Sequence, residues 1–279
     1  MTPWVTAWGR TVVRRAGVVH AAAAGWLALL VVAALLAPLG GYPIGADVDL
    51  TAANVGPSPA HWLGTDHLGR NVAWRLILAS RAFLGPGLVA AAVAATLGVV
   101  PGAVAGLLGG VPALALRYLT GVLATVPRFV LVLLLLTIYG DSPTHLGIAM
   151  GLAYAPELWE AVHGRVDELR RAEFVQASRA HGVPWWRLLF LHLLVGATGG
   201  LVARHLVRVF AFAVVVESTL AYLGGFGVQE PWPSWGNMLV FEWGRGFGAA
   251  QLAPAVVLML TVTACASVAG LVGGARHVD

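Results

Sequence analysis

The chain has 279 residues, of which 58% are hydrophobic and 11% are charged, and its mean hydropathy is +0.80. Soluble globular domains carry about 25% charged residues, so this composition excludes an ordinary soluble domain and predicts a polytopic membrane protein. All 17 basic residues are Arg, which excludes a phosphate-binding loop with its Lys, a Schiff-base Lys and a kinase Lys. The single cysteine, Cys265, excludes a disulfide framework and a metal site built from cysteines.

Apolar stretches predict an all-α fold with six transmembrane helices. A bilayer core of about 30 Å needs about 20 apolar residues per helix, and six stretches satisfy that rule, at about 18–39, 82–108, 113–139, 146–162, 191–222 and 249–272. The predicted organisation is a tail at 1–17, a first transmembrane helix at 18–40, an external loop at 41–81, a transmembrane core at 82–273 with a loop at 164–190, and a tail at 274–279. The first stretch is too long for a signal peptide, so we expect it to be retained.

The distribution of Arg predicts the orientation of the spans. Four Arg residues lie on one side of the predicted membrane, at Arg70, Arg75, Arg81 and Arg245. Ten lie on the other side, at Arg10, Arg14, Arg15, Arg117, Arg165, Arg170, Arg171, Arg179, Arg187 and Arg276. The positive-inside rule therefore places both termini and the 164–190 loop in the cytoplasm. Because this arrangement accounts for the basic pI, the sequence does not indicate nucleic-acid binding.

The external loop carries a compact polar motif. Gly64 and Gly69 are expected to permit tight turns. Thr65 or Asp66 is expected to cap a short helix that begins near His67.

A metal site is the alternative interpretation of the same loop. His61, Asp66 and His67 lie within seven residues, and imidazole with carboxylate is a common set of metal ligands. Capping and turn formation explain these residues better, so no metal site is predicted.

The cytoplasmic loop Gly164–Phe190 predicts two short amphipathic helices. Apolar and small residues recur at helical spacing from Phe174 to Ala180, and Gly182 and Pro184 are expected to break the helix. A cytoplasmic helix pair that is neither a span nor a tail suggests a docking element for another subunit.

Charged residues within the fifth predicted span are the most unusual feature. Arg204 and Arg208 lie one turn apart on one helix face, with His205 beside them. Each charge costs at least about 2.5 kcal/mol at the bilayer centre unless it faces protein or water. Two interpretations stay open: these residues line a pathway for a carboxylate-bearing substrate, or they pair with Glu160 or Glu217.

Aromatic residues cluster between the fifth and sixth predicted spans. Trp232, Trp235 and Trp243 lie where an external membrane interface is expected. Their simplest interpretation is an aromatic belt at that interface.

Three segments resemble ABC-importer permeases. Residues 173–182, EFVQASRAHG, resemble the EAA motif E-A-A-x-x-x-G. Two others are similar to motifs of the dipeptide, oligopeptide and nickel branch. Residues 61–70, HWLGTDHLGR, resemble H-P-L-G-T-D-x-x-G-R, with Trp62 in place of the Pro. Residues 217–224 and 233–238, ESTLAYLG and PSWGNM, resemble E-A-x-L-S-F-L-G and P-S-W-G-N-M. The segments occur in the family's order, so the resemblance implies a type I ABC-importer transmembrane domain in the inner membrane of a prokaryote.

The resemblance also implies partners and site residues. Such a permease works with a second homologous permease, two ATPase subunits that hold ATP and Mg²⁺, and an external substrate-binding protein, so this chain itself needs no cofactor. The implied ATPase-coupling residues are Gln176, Ala177, Ser178 and Gly182. The external motif comprises Gly64, Thr65, Asp66, Gly69 and Arg70.

The sequence departs from the family pattern at several positions. Gln176 replaces a Glu, Ser178 replaces the second Ala of the motif, Val195 replaces a Pro, and Asn71 stands where the family has Asp. These changes bear more on the partner and the substrate than on the fold.

The predicted function is therefore a permease subunit, not an enzyme, of an ATP-driven importer for dipeptides, oligopeptides or a related solute such as nickel or a metal chelate. The alternative is an ion-coupled secondary transporter that uses Arg204, His205 and Glu217. The pathway candidates common to these interpretations are Arg204, His205, Arg208 and Glu217.

Overall fold

The computed structural model describes residues 3–40, 48–188, 198–240 and 248–274. Twelve helices occur in these ranges: α1 (Pro3–Leu36), α2 (Val72–Ala79), α3 (Arg81–Ala94), α4 (Val100–Leu108), α5 (Gly110–Thr125), α6 (Arg128–Tyr139), α7 (Pro143–Leu169), α8 (Glu173–Ala180), α9 (Trp185–Arg187), α10 (Gly199–Leu223), α11 (Trp235–Val240) and α12 (Ala249–Gly274). A π-helical turn, Ala95–Val99, joins α3 to α4. The described ranges contain no β-strand, as the predicted all-α fold requires.

The chain divides into two compact units. One comprises residues 1–84 and 217–271, and the other comprises residues 85–216 and 272–279. In the first unit the indole Nε1 of Trp26 on α1 donates a hydrogen bond to Oγ1 of Thr261 on α12, at 3.1 Å. This bond joins the first and last apolar helices of the chain.

Small residues bring the helices of the second unit into close contact. Gly98, Gly102 and Gly106 recur every four residues, and a Cβ on any of them would lie 2.8–2.9 Å from atoms of α7. Gly147 and Gly151 of α7 are packed in the same way, because a Cβ there would lie 2.6 Å from the Cβ of a valine on α3. Close approach at small residues is how membrane helices associate without a hydrophobic driving force.

The helices lie where the sequence predicts spans, but four stretches, or five if the bent pair α5–α6 counts as one, are long and apolar enough to cross a membrane. Four continuous stretches are long and apolar enough to cross a membrane, at Gly17–Leu36, Val72–Leu108, Gly199–Leu223 and Leu252–Val272. Helix α7 has 27 residues over the predicted fourth span, which at 1.5 Å per residue is about 40 Å. The count of six is compatible with these helices and stays a prediction. Residues 191–197 of the fifth span and 275–279 of the C-terminal tail lie outside the described residues.

The predicted third span is broken. Helices α5 and α6 meet at an angle of 88°, and Val126 between them has an extended backbone with ψ 126°. The cause is Pro127, because a proline lacks an N–H donor and disfavours the α conformation of the residue before it. Arg128 is thereby placed at the first position of α6.

Candidate functional site

The external motif forms a turn before α2. One carboxylate oxygen of Asp66, Oδ1, accepts hydrogen bonds from the backbone N–H groups of Leu68 and Arg70, both at 2.9 Å. Helix α2 begins six residues later and is capped by Asn71, whose Oδ1 accepts from the N–H groups of Ala73 and Trp74. The prediction of a helix that begins near His67 is therefore wrong, because the carboxylate of Asp66 accepts the N–H groups of a turn and does not cap a helix.

Thr65 and the two motif glycines, Gly64 and Gly69, connect the turn to the loop segment that precedes it. The hydroxyl of Thr65 donates to the carbonyl of Ala52 and accepts from the N–H of Val55. Gly64 and Gly69 both have φ +78°, which is the backbone conformation that glycine adopts without strain. The expectation that these glycines permit tight turns is thus met by the geometry.

A first prediction concerns Gly69→Ala, which is expected to destabilise the external loop. The new Cβ would lie 1.9 Å from the carbonyl oxygen of Asp49, and the left-handed backbone alone costs a non-glycine residue about 1–2 kcal/mol. Limited proteolysis of the purified protein should cut this loop faster in the variant. Gly56→Ala is the matched control in the same loop, since no atom lies within 4 Å of its Cβ. Equal cleavage of the two variants would contradict the prediction.

Two arginines and two carboxylates form a compact ion quartet beside this turn. Arg70 contacts Oδ2 of Asp66 and Oε2 of Glu230 at 2.7 Å each. Arg75 contacts Oε1 of Glu230 at 2.7 Å and Oδ2 of Asp66 at 3.4 Å. Both guanidinium side chains are only 4–5% exposed, so each charge depends on these carboxylates for compensation. The sequence interpretation included Asp66 and Arg70 but missed Arg75 and Glu230.

The electrostatics of the turn follow from this pairing. Burial opposes the charge of Arg70, but the carboxylates of Glu230 and Asp66 outweigh burial and hold the pKa of its guanidinium above the ordinary value. Burial lowers the pKa of the neighbouring His67 imidazole. His67 therefore favours the neutral form, and the described residues contain no group of three or more His, Cys, Asp or Glu arranged to hold a metal ion.

Glu217 lies in a different environment from the one predicted for it. It is fully buried, and its carboxylate accepts hydrogen bonds from the hydroxyl of Ser234 at 3.1 Å and from the N–H of Val228 at 3.4 Å. The amide of Asn237 accepts from the N–H of Ser234 and donates to the carbonyls of Val228 and Trp232. Glu217 thus anchors the segment that carries Pro233–Met238.

The same segment corrects the interpretation of the tryptophans. Trp235 is 1% exposed, its indole N–H donates to the carbonyl of Leu76, and its ring centroid lies 4.7 Å from that of Phe83. It is therefore a core residue and not part of an interface belt, whereas Trp232 is 54% exposed. Trp243 lies outside the described residues.

A second cluster of charges forms around Glu157 on α7. Its carboxylate accepts hydrogen bonds from Arg128 on α6 and from the hydroxyl of Tyr154 at 3.1 Å. From α10, His205 Nε2 lies 3.7 Å and Arg208 Nη1 lies 4.0 Å from Oε1 of the same carboxylate. Among the described residues, the acidic partner of His205 and Arg208 is therefore Glu157, and the prediction that these two pair with Glu160 or Glu217 is wrong.

Packing and hydrogen bonds orient the groups of this cluster. The guanidinium carbon of Arg128 lies 4.7 Å from the centroid of the Tyr154 ring, which is a cation–π distance. Nδ1 of His205 lies 3.0 Å from the carbonyl of Leu201, and because a carbonyl only accepts, Nδ1 carries the proton and donates. The buried Nε of Arg204 has no hydrogen-bond partner among the described residues. Arg128, Tyr154 and Glu157 are not among the site residues that the sequence predicts.

The predicted coupling segment forms a short exposed helix followed by a sharp turn. Gln176 and Ala177 of α8 are exposed and Ser178 is partly buried, while Phe174 is 45% exposed. Gly182 has φ +74°, and the N–H of Val183 donates back to the carbonyl of Ser178 at 3.0 Å.

The segment around this turn has one buried side and one exposed side, as a surface that binds another protein requires. Val175 and Leu188 are fully buried and hold the segment to the rest of its unit, whereas Trp185 and Trp186 are 58% and 54% exposed. The exposed side therefore carries large apolar groups next to small residues, which is typical of a protein interaction surface. Val195 lies outside the described residues.

Comparison with known proteins identifies the family. Residues 98–273, well over half of the chain, match the family described as binding-protein-dependent transport system inner membrane component. The chain belongs to this family. It is thus a permease component of a membrane transport system, and the membership favours an ABC importer over an ion-coupled secondary transporter.

Relatives cover most of this permease. The glutathione transport system permease protein GsiD of Pectobacterium atrosepticum is 29% identical over 240 residues, which cover 85% of this chain and 78% of that protein. GsiD of Salmonella typhimurium is 31% identical over 265 residues, covering 94% and 86%. A provisionally named peptide permease of Brucella suis is 34% identical over 193 residues, covering 69% and 63%.

Proposed function

We propose that this permease forms half of the translocation path of an ATP-driven importer for small peptides. The observation that carries the proposal is the segment 173–187, in the position of the family's coupling motif, whose exposed side presents Phe174, Trp185 and Trp186. The names of the relatives, which specify glutathione and peptide, support a peptide substrate over nickel or a metal chelate.

The proposed complex contains a second homologous permease, two ATPase subunits and an external substrate-binding protein. ATP and Mg²⁺ are held by the ATPase subunits, since this chain has no Lys for a phosphate-binding loop. Both termini and the coupling segment lie in the cytoplasm, which the ten Arg residues on that side support.

The proposed mechanism is alternating access. ATP binding brings the two ATPase subunits together, the docked α8 helices move with them, and the transmembrane helices open toward the delivered peptide. Gln176, Ala177, Ser178 and Gly182 are the proposed coupling residues, because small and exposed groups let α8 approach the groove of an ATPase closely.

Co-purification tests this proposal directly. Affinity purification of the tagged permease, expressed with the genes beside it, is expected to recover a second permease and an ATPase in a complex that hydrolyses ATP. Ala177→Arg, which places a bulky cation on the docking surface, should lose the ATPase. Ala264→Arg, at a buried position inside the span Leu252–Val272, should impair insertion instead. Recovery of a permease that transports its substrate without any ATPase would contradict the proposal.

A further inference from the structure

The break between α5 and α6 lies in an exposed part of the second unit. The residues from Gly121 to Pro127 are exposed or partly exposed in the isolated chain, although α5 and α6 together form one apolar stretch. Interrupted backbone at membrane depth occurs only where it is buried in protein or borders a water-filled cavity. The break therefore has to face either water or another subunit.

Charged groups converge at this break. Arg128 begins α6, Glu157 lies on α7 and Arg208 lies on α10 about 14 Å from its first residue, which is near the middle of that span. Their side chains are 42%, 31% and 51% exposed. Half-exposed charges at this depth are too costly to face lipid, so the cluster and the break independently indicate a face that meets water or another subunit and not lipid.

The charges of the cluster do not balance. One carboxylate, Glu157, faces two guanidinium groups, Arg128 and Arg208, and His205 uses its Nδ1 proton on the Leu201 carbonyl. Among the described residues, one positive charge of this cluster is left without a carboxylate. Guanidinium groups are suited to a second carboxylate because their planar donors bind one in a bidentate manner.

We propose that Arg128 and Arg208 border the translocation path and bind a side-chain carboxylate of the passing peptide, with Glu157 holding the two guanidinium groups in place between transport cycles. This inference rests on the proposed function and narrows its substrate class to peptides with a net negative charge. Tyr154, which donates to Glu157 and lies beneath Arg128, is a positioning residue. A cationic peptide is repelled by the excess positive charge.

The location can be tested without knowing the substrate. Thr125→Cys places a thiol at the break, three residues before Arg128, in a Cys265→Ala background that removes the native thiol. In the assembled importer in nanodiscs, we expect it to react with water-soluble methanethiosulfonates, and faster with the anionic sulfonatoethyl than with the cationic trimethylammonioethyl reagent. Each rate is normalised to that of a free thiol in solution. Arg208→Gln should reduce this preference by about tenfold, the effect of removing one charged donor.

Met259→Cys is the matched control, since Met259 is exposed on α12 in an apolar surrounding and should react slowly with both reagents. A thiol at position 125 as unreactive as this control would place the break against lipid or the second permease and overturn the proposal. A preference unchanged by Arg208→Gln would overturn the role of the charge.

Uptake by proteoliposomes containing the assembled importer tests the substrate class. The probes are the tripeptides Ala-Asp-Ala, Ala-Ala-Ala and Ala-Lys-Ala, and each variant is compared with the wild type for each probe, which cancels differences in delivery. Arg128→Gln and Arg208→Gln should lower uptake of Ala-Asp-Ala by about tenfold and that of Ala-Ala-Ala far less. Arg165→Gln, an exposed arginine paired with Glu168, is the control and should change neither.

The outcomes separate this inference from the proposed function. Equal losses for all three peptides in the two variants would overturn the subsite for a side-chain carboxylate while the peptide importer stands. A wild-type importer that takes up none of the peptides would contradict the proposed peptide substrate and, with it, the subsite. A charge preference at position 125 would still show that the break borders water.

Discussion

Gly182→Arg is expected to abolish transport-coupled ATP hydrolysis while the permease still inserts into the membrane. Gly182 has φ +74°, which costs a non-glycine residue about 1–2 kcal/mol, and the N–H of the next residue holds the turn by donating to Ser178. No atom lies within 4 Å of a Cβ at this position, so the added side chain extends into the space that the docking partner is proposed to occupy. ATP hydrolysis by the reconstituted complex, with and without the substrate-binding protein, measures the effect.

The control for this prediction is Gly182→Asn. Asparagine adopts the left-handed conformation more readily than other residues, so this variant keeps the turn and adds only a short side chain. We expect it to retain most of the coupled hydrolysis. Normal coupling in the Arg variant would count against the proposed docking surface.

Glu230→Ala is expected to destabilise the external face of the permease strongly. The change leaves Arg70 and Arg75, both about 95% buried, with Asp66 as their remaining carboxylate. Removing one partner of a buried ion pair costs about 3–5 kcal/mol, and the 26% exposure of Glu230 places the expected loss at or below the lower end of that range. Thermal unfolding of the purified permease in detergent measures it.

Two further variants make this result interpretable. Glu168→Ala removes the carboxylate of an exposed pair with Arg165 and is expected to cost less than about 1 kcal/mol. Combining Glu230→Ala with Arg75→Met removes one charge of each sign and leaves Arg70 with Asp66, so part of the lost stability should return. Equal unfolding temperatures for Glu230→Ala and Glu168→Ala would show that the quartet is not a stabilising unit.

Sequence reasoning predicted those features that depend on neighbouring residues. Local backbone preferences explain the turns at Gly64 and Gly69 and the change of chain direction at Gly182. All three glycines adopt a positive φ, which other residues rarely adopt. The failure at Asp66 has a local cause as well, because an Asx turn and a helix cap use the same side-chain oxygen, and a sequence does not distinguish them. The roles of the coupling and pathway residues stay predictions.

The sequence alone did not reveal which charged residues pair, because the partners are far apart along the chain. Glu230 is 160 residues from Arg70, and Glu157 is 29 residues from Arg128. Arg128 lies within an apolar stretch of the sequence. The one local indication that it lies at a helix start is Pro127, immediately before it. A proline before an arginine in a predicted span indicates a helix start at that arginine, where a break can expose the charge.

The sequence by itself determined the class of this protein, an all-α permease of the inner membrane. Bilayer thickness sets the length of its apolar segments, and its three motifs agree with the family. Tertiary structure decided which charges are balanced. Asp66 and Glu230 neutralise Arg70 and Arg75, whereas Glu157 compensates only one of Arg128 and Arg208. The physical reason is that hydropathy acts on each segment alone, while the energy of a buried charge depends on what packing brings within a few ångströms of it.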